Sequence, residues 1–150
     1  MRSIARLREA KWRASLRRRS ACRPTKNMKA LIVDDDPDAI AVLGLHLENL
    51  GIDVHASEKP REAVEFYERL RPDVVFMDIE LSFPGGFIAT QNIKHAAKRI
   101  GHKVVVIMYT SSKDPESVQK AKSFGANDYL VKPVTREGVR EKLSRHFPEF

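Results

Sequence analysis

Four apolar residues in an unbroken row, Val74 to Met77, lead directly into an acid, Asp78. A strand with one wet face alternates apolar and polar residues. A run without alternation belongs to a strand covered on both faces, the usual state in a parallel sheet. A second, longer run, Val104-Val-Val-Ile-Met108, lies two residues before Thr110. The chain therefore has to supply helices for both faces of a sheet, and that restricts its fold more than any other feature.

The stretches around these runs meet that demand. From Met28 onward, Lys29 to Val33 reads as a first strand, followed by Asp34-Asp35-Asp36-Pro37. Residues 38 to 50 place Ile40, Leu43, Leu47 and Leu50 at helical spacing and stop at Gly51. Ile52 to Ala56 is the second strand. A helix over about 60 to 70 turns Ala63, Val64, Tyr67 and Leu70 inward and ends before Pro72. Residues 73 to 77 form the third strand, then Leu81 to Gly86 make a loop of turn formers, and a helix runs from about 87 to 100. The fourth strand is 103 to 109. Asp114-Pro115 carries the cap and first-turn pattern of a helix reaching Phe124. Asp128 to Val131 is the fifth strand, and Thr135 to Phe147 a last helix with Val139 and Leu143 inward. Five strands separated by helices imply right-handed βαβ units. The expected fold is an open, doubly wound α/β domain, a five-stranded parallel sheet of flavodoxin-like type in the order 2-1-3-4-5.

The 150 residues suit one domain with a sizeable core, and 42% hydrophobic with 31% charged residues is a globular profile. No stretch approaches the roughly 18 consecutive apolar residues of a membrane span. A lone cysteine, Cys22, excludes an internal disulfide and fits a reducing, cytoplasmic setting. The five histidines form no HExxH and no Cys/His cluster, which argues against zinc. The net charge of +7 is unevenly placed: residues 1–27 hold ten Lys or Arg against Glu9, which is +9 and leaves −2 for residues 28–150. The first 27 residues are read as an extension to a domain spanning 28–150. A solvated or loosely helical tail, a nucleic-acid or anionic-membrane contact through Arg17-Arg18-Arg19, a targeting peptide without an apolar region, and a true start at Met28 all remain open.

In a sheet of this topology ligands sit beyond the carboxyl ends of the strands. Those ends carry Asp34 and Asp35, then Asp78, then Thr110, then Lys132. Each has an ordinary explanation taken alone, since acids start turns, threonine is β-branched and lysine is a common end charge. Asp36 is accounted for as the cap of the first helix, with Pro37 in its first turn. Four adjacent strand ends of this kind are harder to dismiss together. Three neighbouring carboxylates repel one another, a hard divalent cation relieves that repulsion, and oxygen-only ligands select Mg²⁺ or Mn²⁺. A lysine beside the metal can neutralise a phosphoryl group, and a carboxylate can be the nucleophile that receives it. Neither GxxxxGK[ST] nor GxGxxG occurs, so the donor is expected to be another macromolecule or a small acyl phosphate.

Leu31 to Pro37, Val75 to Ile79, Ile107 to Thr110 and Gly125 to Pro133 together resemble the receiver domain of two-component response regulators, over about residues 28 to 148. The resemblance implies that Asp78 accepts a phosphoryl group from phosphohistidine on a sensor kinase or phosphotransfer protein. It implies a Mg²⁺ site made by Asp35, Asp78 and the main-chain carbonyl of Glu80, with Asp34 acting through water. Lys132 would pair with the phosphoryl oxygens and precede a cis Pro133. Thr110 would bind the phosphoryl group while Tyr129 turns inward, coupling the site to a protein-docking face. Such a protein catalyses its own phosphorylation and dephosphorylation while serving as a switch.

Several residues depart from that family's pattern. Leu81-Ser82-Phe83-Pro84-Gly85-Gly86 replaces a loop of the form Met-Pro-x-Met-Asp-Gly, with Gly85 at the acidic position, and Ser111 replaces a small alanine. Glu80 and Ser112 stand at positions that vary within that family, where the resemblance implies they would tune loss of the acyl phosphate. With no output domain expected after residue 150, the chain reads as a stand-alone receiver acting on a downstream protein. The alternatives are a pseudo-receiver that binds partners without phosphorylation, and a receiver tethered to nucleic acid by its basic arm.

Overall fold

The computed structural model describes residues 27–81, 85–111 and 113–150. The basic extension before Asn27, Ser82 to Pro84 of the loop, and Ser112 lie outside the described residues. The elements are β1 (Lys29–Val33), α1 (Pro37–Asn49), β2 (Asp53–Ser57), α2 (Pro60–Leu70), β3 (Val74–Asp78), α3 (Gly86–Ile100), β4 (Val105–Thr110), α4 (Pro115–Ser123), β5 (Asp128–Val131) and α5 (Arg136–His146). All strand pairings are parallel, in the order β2-β1-β3-β4-β5. The expected doubly wound architecture is the observed one.

The unbroken apolar runs are divided residue by residue between two cores. Ala30, Ile32, Phe76, Ile107, Tyr109 and Leu130 face a layer that holds Leu43 and Leu47 of α1 with Val139 and Leu143 of α5. Leu31, Val33, Val75, Met77, Val106 and Met108 face the opposite layer, with Ala63 and Tyr67 of α2, Ile93 of α3 and Ala121 of α4. Successive strand residues point to opposite faces. A strand sandwiched between two helical layers therefore has no position left for a polar residue until it ends. Among the described residues no helix is long and apolar enough to cross a membrane.

Local chemistry sets the helix ends. The Asp36, Asp114 and Thr135 side chains accept main-chain N–H bonds from Asp38, Glu116 and Gly138 and cap α1, α4 and α5. Pro37, Pro60 and Pro115 stand in the first turns, where a missing N–H costs nothing. Most boundaries differ from expectation by a residue or two. Two of those shifts matter: β3 includes Asp78 and β4 includes Thr110, so both are held by the ladder instead of following it. The α2 end also differs in kind. Arg71 leaves the helix in the left-handed region, φ 46°, before Pro72 is reached.

The start of α3 packs directly on the end of β3. Gly85 caps that helix at φ 88°, a region that L side chains rarely adopt, so the absence of an acid there has a backbone cause. A Cβ added to Gly86 would come within 2.1 Å of the Asp78 carbonyl oxygen. The helix can approach the end of β3 only where there is no side chain. Gly86→Ala is expected to lower stability by about 3 kcal/mol, the upper end for forced overpacking. A urea midpoint close to that of the wild type would show that the helix start shifts freely.

Candidate functional site

All five strands end on one edge of the sheet. At its centre β1 runs into Asp34, which is wholly buried, while Asp35 beside it is exposed. Asp34 Oδ1 accepts the Asp36 N–H at 2.9 Å. Asp34 Oδ2 accepts the hydroxyl of Tyr109 at 2.5 Å. Next along the sheet, Asp78 closes β3 with 3% of its surface exposed. The Glu80 N–H donates to Asp78 Oδ1 at 3.1 Å, turning the chain back over the carboxylate. Thr110 is buried as the last residue of β4, one position past Tyr109, the register partner of Asp78.

Lys132 follows β5, where its N–H donates to the Thr110 carbonyl at 2.8 Å and so extends the ladder by one step. The peptide bond to Pro133 is cis, as expected. From this anchor the ammonium reaches across β4 to lie 3.5 Å from Asp78 Oδ1 and 3.7 Å from Asp34 Oδ2. Asp34, Asp35 and Asp78 each place a carboxylate oxygen within 4.8 Å of the others. Four of the anticipated residues, Asp34, Asp35, Asp78 and Lys132, are thus brought together, with Thr110 at the neighbouring strand end. Glu80 contributes its N–H to Asp78, and its side chain is exposed. Tyr129 is half-buried on β5 and lines a groove of about 530 Å³ between α4 and α5, with Val118, Ala121, Lys122, Lys142 and Arg145. Burial first, then the charges of Asp114 and Glu80, push its phenol pKa up.

Residues 30–144 match the family described as the response regulator receiver domain. The chain belongs to this family. PilH of Pseudomonas aeruginosa is 36% identical over 117 residues, covering 77% of this chain and 94% of that protein. The structure of chemotaxis protein CheY4 from Vibrio cholerae superposes with a TM-score of 0.73 at 27% identity, covering 80% of this chain and 98% of that one. The receiver domain of Ssk1 from Saccharomyces cerevisiae, solved with the histidine phosphotransfer protein Ypd1, gives 0.72 at 28% identity over 79% of this chain and 87% of that one. Other relatives are far longer: the matched segment is 17% of the Vibrio cholerae CAI-1 autoinducer sensor kinase/phosphatase CqsS.

In this receiver the donor set fits a hard divalent cation. Two buried carboxylates share one ammonium, and an exposed third carboxylate opens the cluster to solvent, leaving negative charge that oxygen-seeking cations balance. The Asp78 carboxyl is pushed up to about 6, first by burial and also by the charge of Asp34, while the Glu80 N–H and Lys132 pull it down. Sequence reasoning passed over Tyr109. The available signal was a hydroxyl-bearing ring at the end of an otherwise aliphatic run, next to Thr110.

Because folding raises the Asp78 pKa from 3.8 to about 6, its contribution favours the folded state fully below about pH 4 and is lost as pH rises through about 6. In cation-free protein, Asp78→Asn is expected to raise stability at pH 7 to 8 by on the order of 1 kcal/mol. That gain should shrink to nothing towards pH 4. Denaturant titrations in EDTA across this range check it, and a pH-independent difference would count against the assignment.

Proposed function

We propose that this receiver accepts a phosphoryl group on Asp78 from a phosphohistidine carried by a sensor histidine kinase or a phosphotransfer protein. The observation that carries this reading is the convergence of Asp34, Asp35 and Asp78 with the Lys132 ammonium at the carboxyl edge of the sheet. Asp35, Asp78 and the main-chain carbonyl of Glu80, with Asp34 acting through water, would hold Mg²⁺, which supplies charge neutralisation for the phosphoryl oxygens and for the carboxylates themselves.

The chain's own residues do the remaining work. The Glu80 N–H and Lys132 hold Asp78 Oδ1, which orients the carboxylate for in-line attack on phosphorus. Attack forms an acyl phosphate and breaks the phosphorus–nitrogen bond to the donor imidazole, whose freed nitrogen keeps the bonding pair and which leaves as neutral imidazole because its other ring nitrogen carries a proton. Lys132 stands where it can exchange part of its attraction for carboxylate for attraction to the new phosphoryl oxygens. Thr110 donates its hydroxyl to the phosphoryl group, and Tyr129 answers by repacking at the groove between α4 and α5, where a downstream protein docks.

Incubation with Mg²⁺ and acetyl phosphate should add one phosphoryl mass to the wild type and none to Asp78→Asn. Intact mass spectrometry reads both, and an unmodified wild type would overturn the proposal in favour of phosphorylation-independent binding. Glu80, acidic and exposed beside the acceptor, is assigned the role of taking a proton from the water that attacks the acyl phosphate. Glu80→Gln should therefore lengthen the half-life of the phosphorylated protein several-fold, and equal half-lives would remove that role.

A further inference from the structure

Tyr109 holds a place in this site that the phosphorylation chemistry does not require. It is 1% exposed, stands in β4 directly opposite Asp78, and directs its hydroxyl across the sheet to Asp34. With the Asp36 N–H on Oδ1 and the Tyr109 hydroxyl on Oδ2, both oxygens of the wholly buried Asp34 carboxylate have donors without any cation.

The ring has a second contact. Lys132 starts from β5, whereas its partners lie on β3 and after β1, so its side chain has to cross the end of β4. Strands lie about 4.8 Å apart, so the two steps from β5 to β3 come to roughly 10 Å, which the lysine spans only together with the Asp78 side chain reaching back towards it. Tyr109 is the residue beneath that crossing, with the ammonium 4.8 Å from its ring centroid. Attraction between the cation and the ring face seats the amine part-way to its carboxylates.

We infer that Tyr109 is a positioning residue that secures Asp34 and Lys132 in the cation-free site and thereby sets how tightly the acidic cluster takes Mg²⁺. The inference rests on the reading that the three aspartates hold that ion. An O–H bond to a carboxylate owes its strength to the full negative charge of the acceptor. A divalent cation beside the same carboxylate draws that charge away and weakens the bond. The tyrosine hydroxyl and the cation therefore stabilise competing states of Asp34, and by linkage each lowers the other's affinity for it. Removing the hydroxyl while keeping the ring costs the cation-free protein more than the loaded one.

The test uses the full chain and its Tyr109→Phe variant, titrated with Mg²⁺ alone by calorimetry at pH 8. The variant should bind Mg²⁺ about five-fold tighter, at the lower end of ordinary coupling between sites. It should also lose more thermal stability in EDTA than in saturating Mg²⁺. A tyrosine that merely filled the core would lower both melting temperatures alike and leave the Mg²⁺ affinity unchanged, and that result, or weaker binding, overturns the inference. If the wild type takes up no Mg²⁺, the cation site itself is wrong, a separate failure that removes this inference with it. Should the variant fail to fold, proton NMR of the wild type gives the same reading. The downfield hydroxyl proton of Tyr109 should move upfield on adding Mg²⁺, and an unmoved resonance overturns the inference.

Discussion

One ammonium group held between two carboxylates that have been taken out of water is the interaction on which the rest of this structure depends. Moving an ionised carboxylate into an apolar interior costs several kcal/mol unless partners replace the lost hydration. Asp34 and Asp78 are 0% and 3% exposed and lie side by side, so the charge of Asp34 adds to burial in raising the cost of ionising Asp78. Lys132 sits at 3.5 and 3.7 Å from them, too far for a close hydrogen bond to either, and compensates only in part. The remainder falls to two main-chain N–H groups and the Tyr109 hydroxyl. The site is left short of positive charge while staying folded. That is a suitable resting state for a site proposed to bind a cation and then a phosphoryl group.

The scaffold is arranged so that this edge can exist. Two apolar layers hold the sheet rigid up to the last residue of β3 and β4, which places Asp78 and Thr110 on the ladder itself. Side chains held by regular structure keep geometry better than those on loops. Gly85 and Gly86 let α3 begin against the Asp78 carbonyl, so the helix starts close to the end of β3. Tyr129 lies in the groove between α4 and α5, which Lys122, Lys142 and Arg145 also line.

Much of this was legible before any coordinates. Unbroken apolar runs identify strands covered on both faces, because a strand with one wet face has to alternate. Asp36-Pro37 and Asp114-Pro115 mark helix starts, because the capping bond and the proline's fixed φ act within a few residues. The acids, hydroxyl and lysine at the strand ends are visible once the strands are placed, since parallel topology puts every carboxyl end on one edge. The boundaries were less legible. Whether Asp78 or Thr110 still belongs to its strand depends on main-chain partners in the neighbouring strand, and the local sequence contains no trace of those. The left-handed exit at Arg71 is a similar case, for a residue type that rarely adopts it.

The order of residues by itself determined the fold class, the sheet and the identity of the charged groups at its working edge, because periodicity, capping and strand-end placement are short-range properties. Only the tertiary structure decided how those charges are balanced. Asp34 and Tyr109 are 75 positions apart, and nothing near either residue says that they share a hydrogen bond. The path of Lys132 over the Tyr109 ring likewise follows from β4 lying between β5 and β3. It takes the folded sheet to bring a phenol, an ammonium and two buried carboxylates together, and the balance among those four groups governs what the edge can bind.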